Sequence, residues 1–230
     1  MKAAYWLAGM AMCGGIALAQ DASGHWQGKI KMGEDKYLGV TVDLARNPQG
    51  AWIGSMSVTA STTVDVPLAN LSVQGADVQF AADLPMRATF AGKLAGDTIS
   101  GTAKNAEGET TFQLTRAGEA HVTAAPLSTA LAKEFLGEWE SSVTSDGRTR
   151  RVGLRLANGG DGKGTATLIA GEQRMEFPAS SVIQTGKELS IEVRAISGAY
   201  RGTLGDNGEI AGEWTETGKK LPVIFKRVAK

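Results

Sequence analysis

Two histidines and one serine-containing segment are the residues of this sequence that come closest to a catalytic set. His25 and His121 are the only histidines, and segment 54–57 (Gly-Ser-Met-Ser) is the nearest match to the Gly-x-Ser-x-Gly motif of serine hydrolases. In that motif the serine sits on a sharp strand-to-helix turn, which exposes its hydroxyl to the substrate. Ser55 instead lies in an alternating run that predicts a β-strand. We therefore predict no catalytic residues and a protein that is not an enzyme.

Metal-binding residues are scarce as well. The only cysteine, Cys13, lies near the N-terminus, so the rest of the chain offers neither a disulfide nor a cysteine-liganded zinc site. Segments 158–162 (Asn-Gly-Gly-Asp-Gly) and 206–209 (Asp-Asn-Gly-Glu) carry side-chain oxygens. A calcium site takes six or more oxygen ligands, however, and these residues favour tight hairpin turns. We predict no metal and no cofactor.

The charge balance excludes one class of partner. The chain has 24 basic and 24 acidic residues, and its densest basic segment is 148–151, which contains three arginines. Binding to nucleic acid needs a concentrated basic surface. We therefore expect no nucleic acid partner.

Residues 1–19 have the features of a signal peptide. Lys2 supplies a positive charge, residues 3–18 carry none, and the segment 17–19 (Ala-Leu-Ala) predicts cleavage after Ala19. An uncleaved membrane anchor and a lipid anchor at Cys13 are the alternatives. We predict a periplasmic or secreted protein with no membrane span after cleavage.

The remaining sequence contains two copies of one unit. Trp26 ends a Gly-x-Trp motif that recurs at Trp139. Further matches between the two copies keep the same order along the chain. They include Val40 with Val152, Phe90 with Tyr200, Gly101 with Gly212, and Arg116 with Arg227. A repeat this long indicates two whole domains rather than a solenoid. We assign repeat 1 to residues 20–118 and repeat 2 to residues 137–230.

Both repeats alternate apolar and polar residues with a period of two, as in Val40-Thr41-Val42. Turn residues separate these runs, and in repeat 1 they predict nine short strands, among them separate strands at 63–66 and 70–74. An up-and-down meander of this kind closes into a barrel because closure removes exposed edges. The predicted fold is all-β, with two tandem antiparallel up-and-down barrels of about eight or nine strands each.

A linker over residues 119–136 joins the repeats. Leu127, Leu131 and Phe135 follow one another at helical spacing, and Gly137 provides a stop. This pattern predicts one short helix over residues 127–136, leading into the second barrel.

The Gly-x-Trp opening, the β meander and the arginine on the last strand resemble the calycin group, which includes lipocalins and avidins. The resemblance implies a structural role for Trp26 packed on Arg116 and for Trp139 packed on Arg227. The second copy also resembles the small β domain that precedes the catalytic domain of exported bacterial α/β-hydrolases. That resemblance rests on Gly137-x-Trp139, Phe177-Pro178, Gly212-Glu213-Trp214 and Leu221-Pro222. It implies a barrel fold and an exported setting, but no activity.

The two copies differ at their aromatic residues. Trp214 is predicted to be a structural core residue, whereas repeat 1 has Ala103 at that position, which leaves an opening or a repacked core. Conversely, Trp52 has Gly164 as its counterpart, which makes Trp52 the candidate binding residue.

The inward positions of the second repeat are bulky, and this favours a filled barrel. We therefore predict a non-catalytic exported β-barrel module for interaction or scaffolding in the cell envelope, with an unidentified protein partner. The alternative is a calycin-type protein that binds a small apolar, lipid-like ligand, for which a continuous apolar cavity would be the sign. An accessory domain of an enzyme, associated with a hydrolase, is a further alternative.

Overall fold

The computed structural model of the protein describes residues 21–83, 87–145 and 147–228. The predicted signal peptide, including Cys13 and the cleavage site after Ala19, lies outside the described residues. Across the described part of the chain, no helix is long and apolar enough to cross a membrane.

The first repeat forms a closed barrel of eight antiparallel strands in sequential order, β1 to β8. Strand β1 pairs with β2 along one edge and with β8 along the other, which closes the sheet. The strands are β1 (Gly24–Lys31), β2 (Tyr37–Arg46), β3 (Trp52–Val58), β4 (Val66–Gln74), β5 (Asp77–Ala82), β6 (Ala88–Ala95), β7 (Thr98–Asn105) and β8 (Gly108–Gly118).

The period of two in the sequence determines which side chains fill this barrel. Val40, Val42 and Leu44 on β2 are buried, because alternate residues of a strand point to the same face. Three aromatic rings meet in the interior: Phe80 stacks on Phe90 at 4.7 Å between centroids, and Phe90 meets Phe112 edge-on at 5.5 Å. At the level of these three rings, the first barrel is therefore filled by its own side chains.

The strand predicted at 63–66 does not form: residues 63–65 lie in the connection between β3 and β4, and β4 begins at Val66. This leaves eight strands instead of the predicted nine. β4 includes the strand predicted at 70–74, and its pairing with β5 shifts register between Ala69 and Ser72, where Asn70 adopts a φ of 51°. A bulge of this kind bends a strand without ending it.

The second repeat forms a curled sheet of nine strands in the order β12-β11-β10-β9-β17-β16-β15-β14-β13. The all-β fold with two tandem antiparallel barrels is therefore confirmed, although strand pairing alone does not close the second one. Its strands are β9 (Gly137–Ser145), β10 (Arg148–Asn158), β11 (Gly164–Ala170), β12 (Met175–Pro178), β13 (Ser181–Thr185), β14 (Glu188–Val193), β15 (Gly198–Leu204), β16 (Ile210–Glu216) and β17 (Lys219–Arg227), with a short 3-10 helix, η1 (Arg194–Ile196), before β15.

The linker helix predicted over residues 127–136 is wrong: within this segment the structure has irregular chain and one turn at 133–135. Backbone groups that would have paired with one another in a helix are instead hydrogen-bonded to the second barrel. The Thr129 amide donates to the Val182 carbonyl at 2.9 Å, and the Thr129 carbonyl accepts from the Gly164 amide at 2.8 Å. Since Gly164 begins β11 and Val182 lies on β13, the linker bridges the two sides of the open sheet.

The apolar residues behind that helix prediction have other roles. Leu131 and Phe135 are buried in the core of the second barrel, whereas Leu127 is 79% exposed. The side chain of Asn158 fixes this path, since its Oδ1 accepts from the Leu131 amide at 2.8 Å and its Nδ2 donates to the Leu131 carbonyl at 2.9 Å. The helical spacing of these residues reflects their burial rather than a helix.

The two barrels lie side by side with equivalent ends together. We call the end of each barrel that carries its first hairpin turn the mouth, and the opposite end the base. At the mouths, Thr63 of the first barrel donates to the carbonyl of Ala195 in the second at 2.7 Å. At the bases, Trp52 and Gly164 line one groove of about 530 Å³ between the barrels. Both mouths therefore lie at the same end of the molecule.

Candidate functional site: the mouth of the first barrel

A cavity of about 850 Å³ opens at the mouth of the first barrel. Its apolar lining comes from side chains that point into the barrel from five strands: Ile30, Leu38, Val58, Ala88, Phe90 and Ala103. Ile30, Phe90 and Ala103 are buried, so the cavity has a continuous apolar floor. Ligand pockets in proteins have volumes of roughly 300–1,000 Å³ with largely apolar linings, and this cavity falls within that range.

The rim of the cavity is polar and carries charges of both signs. Lys31 and Glu34 come from the first hairpin, Glu107 lies in the turn after β7, and Ser61 and Thr63 come from the segment between β3 and β4. An apolar floor below a polar rim suits a ligand with one apolar part and one polar end. The carboxylates of Glu34, Glu107 and Glu109 outnumber the single lysine of the rim, so the charges favour a neutral or cationic end over an anionic one.

The cavity exists because one large residue of the second barrel has a small counterpart in the first. Ala103 pairs with Phe90 and Thr110 across the sheet, and at the same register positions Trp214 pairs with Tyr200 and Leu221. The half-buried Trp214 ring packs against the core of the second barrel at its mouth. Replacing the indole and Leu221 by a methyl group and a threonine removes this cover in the first barrel.

A second substitution matches the first. Gly198 lies beside Trp214, and a Cβ atom at Gly198 would overlap the indole ring. The corresponding residue in the first barrel is Ala88, which lines the cavity on β6 next to the strand that carries Ala103. The glycine makes room for the tryptophan in one barrel, whereas the alanine of the other barrel faces no such ring. The two barrels have therefore diverged at this pair together.

The bases of both barrels carry the aromatic–arginine pairs expected from the sequence. The Cζ atom of Arg116 lies 4.2 Å from the centroid of Trp26, and that of Arg227 lies 4.3 Å from the centroid of Trp139. Each indole N–H donates to the carbonyl four residues earlier, Ala22 at 3.0 Å and Phe135 at 2.8 Å. These residues close the bases by packing and lie far from the mouth cavity.

Trp52, the predicted binding residue, also lies at the base of the first barrel. It is half-buried, and the guanidinium of Arg46 lies over its ring at 4.3 Å from the centroid. Its counterpart Gly164 has no room for a side chain, because a Cβ there would lie 2.6 Å from the Thr129 carbonyl. The Trp52–Gly164 difference therefore follows from the path of the linker, whose Thr129 lies directly against Gly164 of the second barrel. The structure does not bring Trp52 to the mouth cavity.

The serine and the histidines singled out in the sequence lie on the outer side of the first barrel. His25, Asp43 and Ser55 are neighbours across β1, β2 and β3. The Nδ1 atom of His25 lies 3.0 Å from Oδ1 of Asp43, which also accepts from the backbone N–H of His121 at 2.8 Å. Ser55 is only 2% exposed, and its hydroxyl has no hydrogen-bond partner within the described residues. A nucleophile has to reach its substrate, and Ser55 lacks that access.

The two segments with calcium-like composition are hairpin turns. The Gly159 amide donates to the Lys163 carbonyl between β10 and β11, and the Gly205 amide donates to the Glu209 carbonyl between β15 and β16. Among the described residues, no group of three or more His, Cys, Asp or Glu side chains is placed to hold a metal ion.

Comparisons with known proteins assign no family to the chain. No family model matches it, and no curated protein matches it. A solved protein of unknown function from the DUF3598 family of Nostoc punctiforme is 12% identical, with a TM-score of 0.28, covering 90% of this chain and 96% of that one. A "putative outer membrane protein" from Bacteroides fragilis is 13% identical, with a TM-score of 0.29, covering 90% and 97%. Structural similarity this low carries no inference about function.

Proposed function

We propose that this is an exported, non-catalytic binding protein that takes a small apolar or amphipathic ligand in the mouth of its first barrel. The observation that carries the proposal is the cavity of about 850 Å³ above Phe90 and Ala103. It favours the ligand-binding alternative over the interaction module predicted from bulky inward residues. Those residues describe the second barrel, where Trp214 packs at the mouth.

The apolar floor supplies the driving force for binding. Burial of apolar area stabilises a complex by about 25 cal/mol per Å² before the costs of association are subtracted. The floor side chains belong to paired strands of a closed barrel, so most of the site is formed before the ligand arrives. Export of the protein is part of the proposal and rests on the signal peptide predicted at residues 1–19.

The test uses a neutral apolar fluorophore, N-phenylnaphthylamine, whose emission rises when it leaves water. The blocking variant combines Ala88→Gly with Ala103→Trp and so reproduces the Gly198–Trp214 pair of the second barrel. Since the first substitution makes room for the new ring, the variant is expected to fold. The matched control is Ala91→Trp, which places the same bulk on an exposed position of β6.

We expect the natural protein and the Ala91→Trp control to bind the fluorophore, and the double variant to lose at least tenfold in affinity. Equal affinity in all three proteins, with the double variant folded by circular dichroism, would contradict the proposal.

A further inference from the structure

One wall of the mouth cavity differs from the others in what supports it. The floor is built from strands of the first barrel, whereas Ser61 and Thr63 lie in the connection between β3 and β4, which has no strand pairing of its own. Within this connection, Ala60 and Asp65 adopt φ angles of 57° and 52°. Non-glycine residues populate this region only when surrounding contacts hold them there. The wall therefore needs support from outside itself.

The first barrel supplies part of that support, since the Val58 amide donates to the Thr63 carbonyl at 3.0 Å and the Asp65 amide donates to Ser57 Oγ at 2.9 Å. The second barrel supplies a further set of hydrogen bonds. Thr63 Oγ1 donates to the Ala195 carbonyl at 2.7 Å, and Ser197 Oγ donates to the Thr62 carbonyl at 2.5 Å. Arg194, buried at 9% exposure, donates through one guanidinium nitrogen to the carbonyl of Asp65 at 3.1 Å. All three acceptor–donor pairs join the β3–β4 connection to η1 and the residue that follows it.

Apolar packing fixes the same segment. Val66, the first residue of β4, is 3% exposed and belongs to the core cluster of the second barrel rather than to that of the first. Arg194 also donates to the Thr123 carbonyl of the linker at 2.6 Å, which ties the linker to the same point. The β3–β4 connection is thus shared: one side lines the cavity and the other is part of the second barrel.

We propose that the second barrel is a brace that holds the Ser61–Thr63 wall in its binding conformation and thereby sets the ligand affinity of the first barrel. This inference rests on the proposed function. A wall that has to be ordered by the ligand weakens binding, because the ordering cost is subtracted from the binding free energy. By reciprocity, a ligand in the cavity strengthens the docking of the wall on η1.

Thr63→Val tests the brace because a local effect on the cavity lining and a loss of the brace would change the ligand affinity in opposite directions. Valine has nearly the shape of threonine and makes the cavity wall more apolar, so a local effect would leave the affinity unchanged or raise it. Loss of the hydrogen bond to Ala195 instead loosens the wall. We expect the affinity for N-phenylnaphthylamine to fall about fivefold, as for one lost hydrogen bond, and Thr63→Ser to restore it.

Ser197→Ala makes the same test from outside the cavity. It removes the bond to the Thr62 carbonyl without touching the lining, and we expect a similar loss of affinity. The matched control for the threonine change is Thr111→Val, on an exposed residue of β8 at the edge of the cavity. Amide hydrogen exchange of segment 59–66 provides a second readout, since bound fluorophore should slow exchange there in the natural protein and less so in Ser197→Ala.

The outcomes separate the two proposals. If Thr63→Val and Ser197→Ala bind as tightly as the natural protein while the Ala88→Gly, Ala103→Trp variant does not bind, the brace is refuted and the ligand site stands. If that double variant still binds, the fluorophore is not in the mouth and the proposed function fails first. Weakened binding in both brace variants, with Thr111→Val unchanged, supports the inference.

Discussion

Arg227 lies over the indole ring of Trp139, with its Cζ atom 4.3 Å from the ring centroid, and joins the last strand of the second barrel to the first. Only two register positions connect β17 with β9, and Arg227–Trp139 is one of them. In the first barrel, β8 and β1 pair over six positions, among them Arg116–Trp26. The arginine thus provides a larger share of the contact between the first and last strands in the second barrel.

We expect Arg227→Ala to destabilise the protein by about 2–4 kcal/mol. The substitution removes a cation–π contact worth roughly 0.5–2 kcal/mol and hydrogen bonds to the Leu136 and Glu134 carbonyls, each worth about 1 kcal/mol or more. Arg227→Lys should recover less than half of this, because an ammonium group lacks the planar fork. Urea unfolding measures both. Arg116→Ala is the matched comparison, and a loss there as large as for Arg227 would contradict the role assigned to the short β17–β9 pairing.

Trp214→Ala tests the other side of the difference between the barrels. We expect a loss of about 2–3 kcal/mol in unfolding free energy, toward the low end for a buried tryptophan because this ring is half-buried. The variant should also open the second mouth above Tyr200 and admit N-phenylnaphthylamine at a second site. Titration of the fluorophore gives the number of sites. A destabilised variant that still binds at one site only would show that Trp214 does not close a cavity.

The sequence predicted the parts of this structure that depend on periodicity. Alternating residues such as Val40 and Val42 predicted strands, and the ordered matches from Trp26 and Trp139 to Arg116 and Arg227 predicted two similar barrels. Strand periodicity is a local feature, and the motifs of the repeat occur in both copies. The sequence therefore contains two occurrences of the pattern that predicts each barrel. The exchange of Trp214 for Ala103 also indicated either an opening or a repacked core in the first barrel, and the structure has a cavity at this position.

The contacts between the barrels could not be predicted in the same way. Thr63, Arg194 and Val66 act across the interface, and nothing in the spacing of the sequence brings them together. The linker was predicted as a helix because the burial of Leu131 and Phe135 happens to follow a helical period. Trp52 was selected because it lacks a counterpart, but that difference arises from the lack of space at Gly164, over which the linker passes.

The linker provides a third prediction. Asn158→Leu keeps the approximate volume of the side chain but removes both hydrogen bonds to Leu131, so it should loosen the strip of chain that bridges β11 and β13. We expect a loss of about 1–2 kcal/mol in unfolding free energy, since two partly buried backbone groups lose their partners. Proteolysis within segment 119–136 should also become faster. Gln173→Leu, in an exposed turn of the same barrel, is the control and should change neither measurement.

Tyr200 provides a prediction about pH. It is buried in the second barrel, where its hydroxyl donates to the Ile210 carbonyl at 3.0 Å and lies 3.2 Å from the Val223 carbonyl. Burial disfavours the phenolate and raises the pKa of Tyr200 well above the ordinary tyrosine value of about 10. The folded protein therefore keeps this proton at a pH at which the unfolded chain has released it.

The sign of the effect on stability follows from this difference. Below pH ~10 both states hold the proton and the contribution of Tyr200 is fully present. Above that pH the unfolded state binds fewer protons than the folded state, so the unfolding free energy falls as the pH rises, by up to about 1.4 kcal/mol per unit for this one group. Other groups titrate in the same range, and a variant is needed to isolate Tyr200.

Tyr200→Phe isolates it, and the first barrel already has phenylalanine at the equivalent position, Phe90, so the ring alone suits this fold. At neutral pH we expect the variant to be less stable by about 1 kcal/mol, because the hydroxyl hydrogen bond is lost. Between pH 9 and 11 the natural protein should lose stability faster than the variant, so the two unfolding free energies converge about one unit above the ordinary tyrosine pKa. Urea unfolding across this range measures both. Parallel curves would show that the Tyr200 proton is not retained by the folded state, and that burial of its hydroxyl does not control stability at alkaline pH.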